Sequence, residues 1–472
     1  MIRISLIAVL LFTASDMYAQ DTVANHQFAH DVFKQLIEIN TTDSSGDVTA
    51  AAEAMGQRFR DAGFADSDIY LGGPNDRKHN VVIRLHGSGK HRPVLLIGHL
   101  DVVEANRADW TTNPFQFVEK AGYFYGRGTE DMKDGDAIMV ATLIRFKKEG
   151  FVPDRDIILA MTADEEGGAY NGVEWLLKNH RDLIDAEFVL NHDGGEVQLD
   201  HGKPLAMVLD ASEKLYSDYQ VVVTNPGGHS SQPRPDNAIY ELSHALLNLE
   251  QHKFPFELNS VTRAYYEHLA SVETGERAAD IKAIVQTPPD LAAADRLSHD
   301  PIDNSRLHTT CVATRVNAGH ANNALPGRAE AVVNCRILPG HSKQEIRQEL
   351  ANIFADPKVE LRYITNAREV LDTIPDERSY SPPPPRADVM AAVNSAAAKI
   401  WPGIPVFPTM ATGASDGVYT MAAGMPTYAI SGVAIERDDH REHGRDERIP
   451  VASFYNGVDF YYQFLKTLTG GM

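Results

Sequence analysis

Five clusters of histidine and acidic residues are spread along the chain between residues 97 and 447. Together they offer imidazole nitrogens and carboxylate oxygens, the donor set that borderline cations such as zinc accept. One carboxylate can join two such ions, and a spare carboxylate beside them can take a proton from water. The clusters therefore indicate a metal-dependent hydrolytic site. They occupy residues 97–103, 126–133, 163–168, 192–194 and 443–447.

The first two clusters centre on His99 and Asp131. Side chains two apart on an extended chain point the same way, so the Asp101 carboxylate can accept a hydrogen bond from His99 and fix its tautomer. Asp131 follows the Gly-rich run 125–128, which lets a carboxylate approach and bridge two ions about 3.5–4 Å apart. Each cluster alone also fits a plainer interpretation, a core histidine near a turn or an acidic surface loop.

The third cluster places Asp164, Glu165 and Glu166 at the end of the apolar run 157–163. Three acids at a buried strand end are costly unless positive charge neutralises them. A metal ion would do so, leaving one glutamate as a ligand and the other as a general base. The alternative is an acidic helix N-terminus in which Asp164 caps the helix.

The last two clusters each contain a rival histidine. Asp193 ends the apolar run 188–190, and His192 beside it faces the other way if the chain is extended there. His440 and His443 share the charged run 438–443, which also fits a solvated surface. Spacing alone leaves the choice between those two histidines open.

The elements that must position these residues alternate between strand and helix. Apolar runs predict buried strands and amphipathic runs predict helices, so residues 21–212 and 380–472 are expected to form a discontinuous α/β catalytic domain with a mainly parallel central sheet. The site residues would lie at strand ends. The predicted strands are 81–85, 94–97 and 157–162, and the predicted helices are 136–148, 173–178 and 387–400.

Residues 213–379 are predicted to be an inserted α+β lid and dimerisation domain with an antiparallel sheet. Its strands alternate polar and apolar residues, and its helices are expected to pack on one face. The proline-rich run 379–386 would connect it to the second catalytic segment. The predicted strands are 219–224, 308–318, 329–337 and 359–364, and the predicted helices are 239–251, 262–269 and 343–354.

Composition limits the class of protein and its compartment. The net charge of −21 argues against a nucleic-acid partner, and no segment after residue 20 has the roughly 18 apolar residues of a membrane span. Residues 1–20 resemble a secretory signal peptide, which predicts a periplasmic or secreted protein. The only two cysteines, Cys311 and Cys335, flank a predicted turn, where they fit either a disulfide or two buried thiols.

The five clusters, in this order, resemble peptidase family M20, and the resemblance covers almost the whole chain after residue 20. It implies Glu165 as the general base, Asp101 as the partner of His99, and a cis peptide after Asp131. The run from Asp131 to Gly135 has one residue more than the family's Asp-x-Lys-Gly, which predicts an altered loop behind the site. The implied ligands of two ions are His99 and Asp193 for one, Glu166 and His443 for the other, and Asp131 for both.

The predicted lid carries three further motifs of that family. Residues 226–233 resemble the segment whose histidine, here His229, reaches across a homodimer to stabilise the oxyanion. Asn323 and Arg336 match positions that contact a substrate carboxylate, for which the planar guanidinium is suited. Without the resemblance, His229 would fit an incidental turn residue and Arg336 a structural ion pair.

The resemblance implies a zinc-dependent hydrolase with two divalent ions, manganese or cobalt being the alternatives to zinc. The predicted reaction is hydrolysis of an amide bond in a small peptide, of dipeptidase or carboxypeptidase type. The alternative is deacylation of an N-acyl amino acid, again with a free carboxylate. A third hypothesis, a metal-retaining peptide-binding protein without catalysis, is disfavoured because the base Glu165 is present.

Overall fold

The computed structural model describes residues 14–375 and 378–470, with side chains from residue 21 onward. Of the predicted signal peptide, residues 1–13 lie outside the described residues, and residues 14–20 begin the first helix. No helix in the described part of the chain is both long and apolar enough to cross a membrane.

The described residues contain twenty strands and fourteen α-helices. The strands are β1 Ile69–Gly72, β2 Asn80–Leu85, β3 Val94–His99, β4 Val118–Lys120, β5 Tyr123–Tyr125, β6 Ile157–Thr162, β7 Phe188–Asn191, β8 Val197–Asp200, β9 Lys203–Glu213, β10 Leu215–Thr224, β11 Gly228–His229, β12 Thr310–Ala318, β13 Ala324–Leu325, β14 Arg328–Ile337, β15 Glu360–Ile364, β16 Val370–Leu371, β17 Val406–Ala411, β18 Thr427–Ala429, β19 Ala434–Glu436 and β20 Arg448–Pro450. The helices are α1 Ala14–Ile37, α2 Val48–Asp61, α3 Lys133–Glu149, α4 Gly172–Asn179, α5 Arg181–Ile184, α6 Ala238–Gln251, α7 Ser260–Val272, α8 Gly275–Ile284, α9 Leu291–Leu297, α10 Pro301–Leu307, α11 Lys343–Phe354, α12 Ala387–Ile400, α13 Gly417–Ala422 and α14 Val451–Thr469.

A ten-stranded mixed sheet forms the centre of the larger α/β unit, in the order β1-β2-β6-β3-β7-β18-β9-β8-β19 with β17 beside β9. Its middle is parallel, since β3 pairs in parallel with β6 and β7, whereas β1, β2 and β8 pair with antiparallel neighbours. Every residue of β3 and β6 is buried, which explains their continuous apolar runs. Helices α1, α2, α3, α12 and α14 pack on one face, and α4 and α5 on the other.

A separate five-stranded antiparallel sheet has the order β12-β14-β10-β15-β16. Helices α6 and α11 pack on it, as predicted for 239–251 and 343–354. Cys311 on β12 and Cys335 on β14 are register partners, and they form a disulfide with their Cα atoms 4.1 Å apart. The large sheet takes its strands from residues 69–213 and 406–436 and this sheet from residues 215–371, while the division of the chain into domains stays a prediction.

Two sequence expectations were wrong. The segment 262–269, now helix α7, packs on β17 of the large sheet instead of the antiparallel sheet: Tyr266 is fully buried, and Tyr265 lies 5.8 Å from Phe407, ring centre to ring centre. Nothing in the sequence of α7 indicates which of the two sheets its apolar face packs on. The expected altered loop after Asp131 is also absent from the described chain, because Lys133 begins α3 and Asp134 is buried in its first turn.

Candidate active site

The parallel pairing of three strands brings three of the clusters to one edge of the large sheet. His99 ends β3 and pairs with Thr162, the last residue of β6, while Ile97 pairs with Asn191, the last residue of β7. The residues that follow each strand therefore meet at the carboxyl ends, where α/β sheets bind ligands. This edge holds the first, third and fourth clusters.

Asp131 lies between the two histidines of the site. Its Oδ1 is 3.1 Å from Nε2 of His99, and its Oδ2 is 3.0 Å from Nε2 of His443. The peptide bond after Asp131 is cis, as the family resemblance implied. Burial alone would raise the pKa of Asp131, but hydrogen bonds from His443 and His99 outweigh it and hold the pKa below its usual range. Two oxygens facing two imidazoles is the arrangement expected of a bridging carboxylate.

His443, and not His440, joins this centre. Its Nε2 lies 2.8 Å from Oε2 of Glu166, and hydrogen bonds to Asp131 and Glu166 raise the pKa of His443 to about 10. His440 instead lies near Glu130, with Nδ1 3.5 Å from Oε1. The geometry thus separates two histidines that spacing could not.

Glu165 and Asp193 adjoin the centre in a different manner. Neither carboxylate accepts a hydrogen bond from any group in residues 14–375 or 378–470, and burial raises the pKa of Asp193 to about 7 and that of Glu165 well above its usual range. The Glu166 carboxylate, by contrast, contacts His443. The two neighbouring glutamates therefore have different surroundings, one in contact with a candidate ligand and one with its carboxylate free.

Asp101 supports the site differently from the prediction. Nδ1 of His99 is 3.0 Å from the main-chain oxygen of Asp101, whereas the Asp101 carboxylate is 3.7 Å away. That carboxylate accepts the backbone N–H groups of Glu165, at 3.2 Å, and Glu166, at 3.0 Å. The expected side-chain hydrogen bond is not made because β3 ends at His99, so the two-residue alternation of an extended strand stops there.

The tautomer of His99 follows from that contact. A carbonyl oxygen only accepts, so Nδ1 carries a proton, and Nε2, which donates to Asp131 here, would present its lone pair to a cation that took the place of that proton. Burial raises the pKa of Glu166 to about 7, as it does for Asp193, so their anionic forms require nearby positive charge. Two imidazoles and three carboxylates therefore fit a pair of borderline divalent cations. Among these five residues, His99, Asp131 and Glu166 offer ligand atoms that all lie within 4.8 Å of one another.

Glu447 holds the Asp131 loop in place, a role that sequence reasoning did not assign. Its fully buried carboxylate accepts the backbone N–H groups of Gly128, Glu130 and Asp131 at 2.8–3.1 Å. Arg127 donates to the same carboxylate at 2.5 Å and to the main-chain oxygen of Gly444 at 2.8 Å. The second and fifth clusters are thereby tied together. The one sequence signal for this contact was that both clusters are present in the chain.

The third cluster is also neutralised by a lysine side chain that no sequence motif indicated. Lys78 forms an ion pair with the buried Asp164 and lies 2.8 Å from Asp43. Helix α4 is capped by Asn171, whose side chain accepts the N–H of Glu174, so the alternative in which Asp164 caps the helix was wrong. Lys78 lies 86 residues from Asp164, a separation from which sequence spacing predicts nothing.

His192 takes no part in the centre. Its ring lies 5.1 Å from that of Tyr461, and burial lowers the pKa of His192 to about 3. The His192 ring and the Asp193 carboxylate thus have different surroundings, although the strand on which the prediction relied already ends at Asn191.

His229 and Asn323 lie together on a small exposed ribbon. Strand β11 pairs with β13, and the backbone N–H of Ser230 donates to the main-chain oxygen of Asn323 at 3.1 Å. Nδ1 of His229 accepts the backbone N–H of Ser231 at 3.2 Å, so a neutral ring carries its proton on Nε2. Neither side chain contacts the centre within the described chain.

Arg336 lies on β14, above Tyr216 of β10, with its guanidinium 4.7 Å from the ring centre. Burial lowers the pKa of Arg336, while Tyr216, Asp218 and Glu165 act in the other direction, so the guanidinium is within electrostatic reach of the centre. It makes no hydrogen bond or ion pair with any described group. Its donors are thus available to an anionic ligand.

Comparison with known proteins agrees with this geometry. The family model of peptidase family M20/M25/M40 matches residues 95–467. A probable carboxypeptidase S-like 2 of Dictyostelium discoideum is 29% identical over 395 residues, covering 79% of this chain and 71% of that protein. The N-fatty-acyl-amino acid synthase/hydrolase PM20D1 of Xenopus tropicalis is 28% identical over 382 residues, covering 79% and 72%. The crystal structure of an M20 family metallo-carboxypeptidase from Sulfolobus solfataricus superposes with a TM-score of 0.67 at 15% identity, covering 93% of this chain and 99% of that one.

Proposed function

Because the chain belongs to peptidase family M20/M25/M40 and is a hydrolase of that family, we propose that it cleaves an amide bond in a small peptide with a free carboxylate. The observation that carries this proposal is Asp131, which faces His99 and His443 beside the free carboxylate of Glu165. The ligands of two cations are His99, Asp131, Glu166, Asp193 and His443. Zinc suits this donor set, with manganese or cobalt as alternatives.

Glu165 is the general base in this proposal. Two divalent ions held by these ligands would supply Lewis acidity, which polarises a carbonyl and lowers the pKa of water. Glu165 takes the proton of the attacking water and passes it to the leaving amine nitrogen, which completes the cleavage of the amide. The raised pKa that burial gives Glu165 suits a group that must hold a proton for part of the cycle. The Asp101 carboxylate positions this base through the two backbone N–H groups that it accepts.

Arg336 and Asn323 are proposed to bind the substrate carboxylate. Arg336 offers a planar set of donors without a carboxylate partner among the described residues, which favours a bidentate contact with an anionic ligand. A substrate held in this way would present the amide bond next to its carboxylate to the centre. Peptides and N-acyl amino acids share this chemistry.

Deacylation of an N-acyl amino acid is the second candidate function. It is favoured by the relatives named N-fatty-acyl-amino acid synthase/hydrolase. The discriminating experiment is a hydrolysis screen of the protein reconstituted with Zn²⁺ or Mn²⁺ against dipeptides, short-chain and long-chain N-acyl amino acids, and the amidated form of each. We expect one class with a free carboxylate to be cleaved and its amidated form to be cleaved far more slowly. Absence of cleavage in every class, or equal rates for amidated substrates, would contradict the proposal.

We further propose that the protein is a homodimer in which His229 serves the partner's centre as the oxyanion donor. His229 is exposed, its Nε2 carries the proton in the neutral ring, and its side chain contacts no described ligand residue. The edge strand β12 is exposed along most of its length, with Val312 57% and Val316 68% accessible, which suits pairing with another chain.

Mixing two inactive variants tests the shared site. His229→Ala and Glu165→Gln each disable one component, so a mixed dimer would contain one complete centre if His229 acts in trans. We expect activity to reappear after the two are unfolded and refolded together. A molar mass by light scattering that equals that of a monomer would contradict the proposal. So would the absence of activity in a sample shown to contain mixed dimers.

Export to the periplasm or the medium is proposed from residues 1–20 together with the Cys311–Cys335 disulfide. Disulfides persist in oxidising compartments. N-terminal sequencing of the protein from its native host would locate a cleavage near residue 20, and an intact N-terminus would argue against a cleaved signal.

A further inference from the structure

His440 lies among three glutamates beside the candidate active site. Its Nδ1 is 3.5 Å from Oε1 of Glu130 and 3.6 Å from Oε2 of Glu442, and its Nε2 is 3.8 Å from Oε1 of Glu196. These separations are longer than hydrogen bonds. Arg441, the nearest guanidinium in sequence, is engaged by Asp439 at 2.6 Å. One imidazole therefore faces three carboxylates.

Glu130 has one buried oxygen without a hydrogen-bond partner. Its side chain is 4% exposed; Oε2 accepts the backbone N–H of Arg441 at 2.8 Å, whereas Oε1, which faces His440, accepts none. A buried carboxylate oxygen that accepts no hydrogen bond is destabilising. Oε1 points at His440, so either a protonated imidazole or a cation between Glu130 and His440 would supply the missing positive charge.

The spacing of the three donors matches a coordination sphere. Zinc binds nitrogen and carboxylate oxygen at about 2.0–2.2 Å, so adjacent ligand atoms of a tetrahedron lie roughly 3.3–3.6 Å apart. The observed 3.5 and 3.6 Å separations from Nδ1 fall in that range. Glu130, His440 and Glu442 offer ligand atoms that all lie within 4.8 Å of one another. We propose that they bind an accessory divalent cation of the zinc type, separate from the two ions at Asp131.

Glu196 completes the site from the other side of the ring. A histidine that binds a cation through one nitrogen commonly donates its other N–H to a carboxylate, which fixes the tautomer. Glu196 lies on the Nε2 side of His440 and can accept that proton after a small closure from 3.8 Å. One imidazole and two carboxylates favour zinc or manganese over calcium, which prefers six to eight oxygen ligands.

The accessory cation joins the two loops that supply Asp131 and His443. Glu130 directly precedes Asp131, and His440 and Glu442 lie in the segment that leads to His443. The side chains of His440 and Glu442 are 36% and 48% exposed, so a cation can enter from solvent. Binding there would hold the fifth cluster against the second. The role we assign to it is the ordering of a ligand loop, without contact with substrate.

The experiment measures zinc content by mass spectrometry after equilibrium dialysis of the full-length protein against buffered Zn²⁺. The variants His440→Asn and Glu442→Gln remove one proposed ligand each, and neither residue belongs to the catalytic set. His320→Asn and Asp438→Asn are matched controls, because both residues are exposed and neither is among the proposed ligands. We expect each ligand variant to bind one zinc fewer than the wild type, and each control to bind the same number.

Two results would overturn the proposal. Equal zinc content in the wild type and both ligand variants would mean that a protonated His440 pairs with the carboxylates in place of a cation. Equal losses in the controls would mean nonspecific binding. The comparison is a difference in zinc content, so it stands even if the catalytic centre proves to bind a different number of ions.

A crystallographic measurement protects the test against misfolded variants. Wild-type crystals soaked in Zn²⁺ are expected to give an anomalous difference peak between Nδ1 of His440, Oε1 of Glu130 and a Glu442 oxygen. Density at the Asp131 centre alone would overturn the accessory site and leave the proposed function intact. A peak at the accessory site without one at Asp131 would support the accessory site and contradict the proposed function.

Discussion

The ligands around Asp131 and the ribbon that carries His229 are held in different ways. His99 is buried, its tautomer is set by a main-chain carbonyl, and the Asp131 loop is fixed by the buried Glu447. His229 lies on a two-residue strand exposed to solvent, oriented by its neighbour Ser231. The difference teaches that the residues around Asp131 are preassembled within one chain, whereas His229 is not; under the proposed function it completes the site only when a partner chain approaches.

The largest expected effect separates chemistry from recognition. Replacing Glu165 with Gln removes the base but keeps the side-chain volume, so we expect kcat to fall about 10³-fold with KM and metal content unchanged. Steady-state kinetics together with metal analysis measure this. Near-normal kcat in the variant would remove Glu165 from the mechanism and weaken the contrast between the two regions.

The second prediction tests whether the centre is fixed by its buried support. Arg127→Met leaves the fully buried Glu447 carboxylate without its guanidinium partner, which we expect to lower the free energy of unfolding by about 3–5 kcal/mol. Denaturant unfolding measures the change. Lys178→Met, at an exposed helical ion pair with Glu174, is the control and should change stability by about 0.5 kcal/mol or less.

A double variant makes the Arg127 experiment specific. Adding Glu447→Gln to Arg127→Met removes the unpaired charge while keeping an acceptor for the backbone N–H groups of the Asp131 loop. The double variant should therefore be more stable than Arg127→Met alone. If it is less stable, the buried pair does not act through its charge.

The smallest expected effect lies on the recognition side. Arg336→Met keeps an unbranched side chain at this position and removes the donors that lie over Tyr216, so kcat/KM should fall about tenfold to hundredfold, mainly through KM, because a hydrogen bond to a charged group contributes about 1.5–3 kcal/mol. Arg328→Met at the other end of the same strand is the control. For the amidated substrate, kcat/KM should be the same in Arg336→Met as in the wild type. An equal fall in kcat/KM for both substrates would mean that Arg336 does not bind the carboxylate.

Sequence patterns predicted the parts of the fold and site that depend on local order. The apolar runs of β3 and β6 located the strand ends, and His99 and Glu166 follow from them because parallel strands bring their carboxyl ends together. The cis peptide after Asp131 was implied only by the family resemblance. The choice of His443 over His440 was likewise implied only by the family resemblance, and the contacts of His443 with Asp131 and Glu166 agree with it.

What could not be predicted depends on contacts between distant segments. Lys78 neutralises Asp164 across 86 residues, and nothing near either residue indicates the pair. Helix α7 has an apolar face that fits either sheet, so its packing on β17 was missed. The predicted contact between the Asp101 carboxylate and His99 assumed that the chain stays extended from residue 99 to residue 101. Strand β3 ends at His99, and the ring contacts the main-chain oxygen of Asp101 instead.

Metal removal and replacement test the central claim most directly. The claim is that the preassembled residues around Asp131 act through bound divalent cations, with Glu165 as the base. Hydrolysis of the best substrate from the screen would be measured before chelation, after dialysis against a chelator, and after addition of Zn²⁺ or Mn²⁺. We expect activity to be lost with the metal and restored with its return, while Glu165→Gln regains metal but not activity. Full activity in protein shown to be free of metal would contradict the account.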